Sequence, residues 1–288
     1  MFPSEPHPFY GCFMKLRRAD MHLRFLYDSI QEFLETHPYD VEAELDFDTG
    51  EVVMYGKVVR DPSRAETTRW GVVIGDIVHN LRSALDHMIW VLSLDASTPP
   101  PPPPDPIPNS SPWHSVAFPV IVNLADWTLS EMKKIAGVRP DLRARIEALQ
   151  PFNTGPSTPR EEPLAVLHQL WQVDKHRHLH LTNCFVGVKD IVHRKPFPSA
   201  PDIAFQVTWK RDVGPFKDGA PIARAKPIPI PGGVIAVSLP MMHMEPHLAF
   251  DVAFDQGPPA YGGRVMESLE RLYNTVSAIL IDFQPEVG

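Results

Sequence analysis

Residues 70–94, WGVVIGDIVHNLRSALDHMIWVLSL, decide the fold. At about 100° per residue the stretch divides into two faces. Val73, Ile74, Ile77, Val78, Leu81, Ala84, Leu85, Met88, Ile89 and Leu92 share one side, the stripe of a helix set into a core. Asp76, His79, Asn80, Arg82, Ser83, Asp86 and His87 share the other. A face that meets only water favours Lys and Glu, which are good helix formers, and this one has neither. Its side chains are those that transfer protons, bind anions or ligate metals.

Three further segments repeat the helical spacing. Leu16, Ala19, Leu23, Leu26, Ile30 and Phe33 mark a helix over 12–36. Pro163 opens one over 163–180, and Val265, Leu269, Leu272, Val276, Ile279 and Phe283 mark one over 264–284. Ser63, with Glu66 three residues on, is a capping box that starts the central helix over 63–95. Between the helices the period changes to two. Val41, Ala43 and Leu45 alternate with acidic residues, and Asp48-Thr49-Gly50 turns the chain into residues 52–59, a β-hairpin over 40–60 with one wet face. Residues 116–122 read as a short strand and 125–135 and 141–149 as short helices. Segments at 185–188, 203–209, 222–227, 234–239 and 248–254 read as strands of one antiparallel sheet over 182–256. Six consecutive prolines from Pro99 make 97–112 a stiff polyproline spacer. The expectation is α+β: a four-long-helix bundle with an inserted β-hairpin and a C-terminal antiparallel sheet packed on it. The whole of 1–288 would form a single composite domain.

Composition excludes several classes. A net charge of −8 argues against a general nucleic-acid coating protein. Two cysteines, Cys12 and Cys184, make no disulfide framework and no CxxC site, and suit a reducing cytosol. Met1-Phe2-Pro3-Ser4-Glu5-Pro6 lacks a basic start followed by an apolar core, and no run of about 18 apolar residues occurs, so a cytoplasmic protein without membrane association is expected. No phosphate-binding GxxxxGK[ST] loop, GxGxxG fingerprint or GxSxG elbow is present.

A second polar cluster, Asp174-Lys175-His176-Arg177-His178, lies on the 163–180 helix. Asp174 falls within the apolar stripe of Leu164, Leu167, Leu170 and Trp171, and a carboxylate there needs a partner. The two helices are therefore expected to meet along their polar flanks. Three functions fit that meeting. Arg82 and His87, with Asp86, Asp174 and His176, could form a catalytic group, with His79, Asn80, Ser83, Lys175, Arg177 and His178 in binding roles. His79, His87, Asp174 and His178 could instead ligate a metal, although HExxH spacing is absent. A buried network that only sets helix register is the third.

Arg82-Ser83-Ala84-Leu85-Asp86-His87 resembles the RxxxxH pattern of HEPN domains, the "higher eukaryotes and prokaryotes nucleotide-binding" superfamily. The chain also resembles bacterial and phage proteins that carry an LRSALDH-type helix and a later DKHR segment. The HEPN resemblance implies a metal-independent ribonuclease, often a homodimer, acting on RNA or a nucleotide without a cofactor. His87 would be the general acid or base and Arg82 would stabilise the charged phosphorane. The chemistry is coherent, since imidazole titrates near neutrality and guanidinium matches phosphate oxygens bidentately. Ser83 stands where that family usually has Asn, Asp or His after the Arg, and the family is typically all-helical.

Overall fold

A computed structural model describes residues 7–95, 115–153, 158–176, 181–194, 204–209, 218–228, 243–254 and 264–287. The polyproline spacer, the strand expected at 234–239, Arg177 and His178 lie outside the described residues. The fold is mixed helix and antiparallel sheet.

The long helices are α1 (Tyr10–Leu34), α2 (Arg64–Leu94), α5 (Pro163–His176) and α6 (Val265–Phe283). Contacts join α1 to α2 and α6, α2 to α5 and α6, and α5 to α6. Their apolar stripes merge into one core that includes Leu16, Leu26, Trp70, Ile77, Leu85, Leu167, Leu269 and Phe283. Polar groups index the α1–α2 pair. Ser29 Oγ accepts from Trp70 Nε1 at 3.0 Å and from Arg69 Nη2 at 2.7 Å, and Phe33 meets the Trp70 ring edge-on. The capping box forms as its spacing predicts. Ser63 Oγ accepts from Glu66 N at 3.2 Å and Glu66 Oε2 accepts from Ser63 N at 2.7 Å. Such a cap contributes about 1 kcal/mol.

The strands are arranged differently from the single C-terminal sheet expected. Strands β1 (Tyr39–Asp46) and β2 (Glu51–Val58) form the hairpin, closed at Gly50 with φ +68°, where the Asp46 carboxylate accepts from Asp48 N and Thr49 N. β5 (Pro221–Ile228) pairs antiparallel with β2, and β4 (Ala204–Trp209) pairs with β5, so one four-stranded sheet has the order β1-β2-β5-β4. Among the described residues β3 (Leu181–Arg194) pairs with β6 (His243–Phe254) alone, as a two-stranded ribbon. The hairpin therefore recruits distant strands. Val52, Val53 and Met54 are buried in succession, so β2 is covered on both faces and the hairpin is not one-sided there.

Residues 116–122 are not a strand. The run Val116–Val122 is apolar because Phe118 and Ile121 are buried, but among the described residues no strand lies alongside to pair with its backbone. Side chains take them instead. Phe118 N donates to Asp86 Oδ1 at 2.9 Å, and Ile121 N donates to Oε1 of the fully buried Gln150 at 3.0 Å. The expected 125–135 helix is likewise broken into single turns around α3 (Leu129–Met132), whereas α4 (Pro140–Ala148) forms close to its expected bounds.

Candidate functional site

The side chains on the hydrophilic flank of α2 go to three different places. Arg82 is only 5% exposed. Its Nη2 donates to the Phe118 carbonyl and lies 3.1 Å from Asp86 Oδ1, one turn further along the helix. Arg82 and Asp86 thus hold the carbonyl and the N–H of one residue, as a neighbouring strand would. The Phe118 ring, fully buried, sits in the core beneath. Trp171 of α5 covers the guanidinium from its other side, with Arg82 Cζ 5.6 Å from the ring centroid and Lys175 Nζ 3.4 Å from it. Burial lowers the Arg82 pKa, and the Asp86 and Glu131 carboxylates oppose that. The group remains a cation at any biological pH.

His168, one helical turn before Trp171, packs against it with ring centroids 5.7 Å apart. Burial and the Arg82 charge push its pKa down to about 4, so the imidazole is neutral at pH 7. Among the described residues, Arg82 Nε and Nη1 and His168 Nδ1 are buried polar atoms without hydrogen-bond partners. His168 is a member of this cluster that sequence reasoning missed. Its position one turn before Trp171 on the α2-facing stripe was the available signal.

Asp174 occupies a second place, against Gly75. A β-carbon built on Gly75 would lie 2.2 Å from Asp174 Oδ1 and 2.7 Å from Cγ. Glycine in a helix interior is unfavourable by roughly 0.5–1 kcal/mol, and here it makes room for the carboxyl group. Burial first, then the Asp76 carboxylate, raises the Asp174 pKa, while His79 lowers it. His79 and Asp76 are exposed beside it, and Asn80 Nδ2 bonds back to the Asp76 carbonyl at 2.7 Å.

His87 is in a third place. It leaves α2 roughly 140° around from Arg82 and lies beside α1, where a β-carbon on Gly11 would meet its Nδ1 at 3.9 Å. Partial burial and Lys15 lower its pKa, and Asp86 raises it. Ser83 is half-buried, and Lys175 and His176 are exposed at the end of α5. No group of three or more metal-ligating side chains comes together among the described residues. A groove of about 530 Å³ lies away from this flank, between α1 and α6, lined by residues that include Asp20, Tyr27, Glu270 and Tyr273.

No family model, curated protein or solved structure matches the chain. No described helix is long and apolar enough to cross a membrane.

Proposed function

We propose that the polar flank of α2 is a docking seam for the chain itself, and that the protein is a non-enzymatic helix-and-sheet interaction module. One observation carries the reading: Arg82, withdrawn from solvent, shares with Asp86 both backbone groups of Phe118. A buried guanidinium committed in this way anchors the 115–123 segment to α2, and Trp171 closes the site with α5. On this reading α1, α2, α5 and α6 are the rods of a four-helix bundle that carries the sheets. The test compares Arg82→Ala with wild type. Losing the cation leaves the buried Phe118 carbonyl unpaired and leaves the half-buried Asp86 carboxylate with only the Phe118 N–H, at a cost of about 1–3 kcal/mol. Thermal unfolding should fall accordingly, and wild-type protein should leave RNA uncut. Metal-independent RNA cleavage by wild type, abolished by His87→Ala without loss of stability, would refute the proposal in favour of the ribonuclease. That alternative rests on the Arg82–His87 spacing, and in the fold the two side chains leave α2 on different flanks.

A second reading, a cytoplasmic protein that binds nucleotide or RNA phosphate, draws on the unpartnered Arg82 Nε and Nη1 and His168 Nδ1, and because these atoms are buried it requires the Trp171 cover to open. Phosphate oxygens would satisfy guanidinium donors there. Calorimetric titration with a mononucleotide at low salt tests it, with binding expected to vanish in Arg82→Met. No heat change in wild type would end it.

A further inference from the structure

Opposite its buried stripe, α1 presents Met14, Met21 and Phe25 to solvent, with Phe25 51% and Met21 53% exposed. These positions fall within about 40° of one another on the helix. A face turned away from the core has no packing reason to carry them. The charges beside them are segregated along the helix. Arg17 and Arg18 lie in the N-terminal half, and Asp28 and Glu32 in the C-terminal half. All four are exposed, and none has a hydrogen bond or ion pair among the described residues, unlike the neighbouring Asp20–Arg24 pair. Glu32 is also in the last turn of α1, where a helix favours cations, and that turn has no basic residue.

We infer that this face of α1 pairs with the same face of a second copy, antiparallel, about a two-fold axis near residue 23. That register sets Met21 against the partner's Phe25 and Arg18 against the partner's Asp28, each twice by symmetry. The thioether meets an aromatic ring, and the basic half of each helix meets the acidic half of the other. A parallel arrangement would set like charges together and is excluded by the same pattern. Only one helix face contributes, so the contact is at the small end of specific interfaces and dissociates readily, with Kd on the order of 10 μM.

Sedimentation velocity on the full chain tests this at concentrations up to about 200 μM and at about 50 mM salt, where charge pairs are weakly screened. Wild type should move from one-chain to two-chain mass across the range, and Phe25→Glu should stay monomeric with unchanged circular dichroism. Arg18→Glu alone should weaken association about tenfold or more, and the swap Arg18→Glu with Asp28→Arg should restore it. Wild type that stays monomeric throughout overturns the inference, as does a dimer indifferent to Phe25→Glu. Failure of the charge swap to rescue overturns the antiparallel register. Phe25-dependent binding of a monomer to anionic vesicles would reassign the face to a membrane surface.

Discussion

Gly75→Ala tests how closely α5 approaches α2. The new methyl would lie 2.2 Å from Asp174 Oδ1, 2.7 Å from Cγ and 2.9 Å from Oδ2, so the carboxyl group must retreat by about 1 Å to reach ordinary contact. Asp174 is half-buried, and retreat brings it no partner, because the neighbouring charge that acts on it most strongly is the Asp76 carboxylate. Overpacking of this kind costs about 1–3 kcal/mol. Against it stands the roughly 0.5–1 kcal/mol gained when alanine replaces glycine in a helix interior. The net expectation is a loss of about 1 kcal/mol for the single variant. With Asp174→Ala the obstacle is gone, and Gly75→Ala should then stabilise by about 0.5–1 kcal/mol. The two changes therefore couple by about 1.5–2 kcal/mol, readable from urea midpoints of the four proteins at constant m. Additive effects, or stabilisation by Gly75→Ala in both backgrounds, would show that α5 does not press Asp174 onto α2.

The remaining predictions concern pH and a second close approach. Asp174 has a raised pKa in the fold, so the folded state holds its proton more tightly than the unfolded chain, and its effect on stability turns unfavourable as pH rises through that raised value. Asp174→Asn should therefore stabilise the protein at pH 7, and the advantage should vanish below the ordinary carboxylate pKa in melting curves taken across pH. With the His168 pKa pushed down to about 4, the unfolded chain takes up the proton first, and stability is lost as pH falls from about 6.5 toward that value. His168→Leu should flatten that part of the curve, and an unchanged slope would contradict the buried, neutral imidazole. A β-carbon on Gly137 would lie 2.8 Å from Ser93 Cβ, on the last turn of α2. Gly137→Ala should cost about 1–3 kcal/mol in urea unfolding.

Much of the helical framework was legible because its evidence is local. The stripe of α2, the Ser63–Glu66 box and the Asp48-Thr49-Gly50 turn each depend on residues a few positions apart, and each forms as read. Strand partnership is not local. Nothing near Val52 or Ala225 announces that β2 and β5 pair across the chain, so the hairpin read as self-contained. Phe118 shows the same difficulty in another form. Its apolar neighbours look like a strand, but a guanidinium and a carboxylate one turn apart on α2 supply the missing edge. The polar flank itself was visible at Arg82, Asp86 and Asp174. The 140° between Arg82 and His87 follows from helix geometry, but which neighbours fill the two sides depends on α1 and on residues 115–123. His168 was overlooked because a single histidine on an apolar stripe has no pattern of its own.

Amide hydrogen exchange at Phe118 tests the docking seam most directly. The N–H is bonded to Asp86 Oδ1 beneath the Arg82 guanidinium, outside any helix or strand, so its protection reports the clamp alone. Wild-type protein should protect it nearly as well as the core amides of α2, and Asp86→Ala should expose it while leaving α2 protected. A Phe118 amide that exchanges in wild type as freely as an open loop would contradict the account.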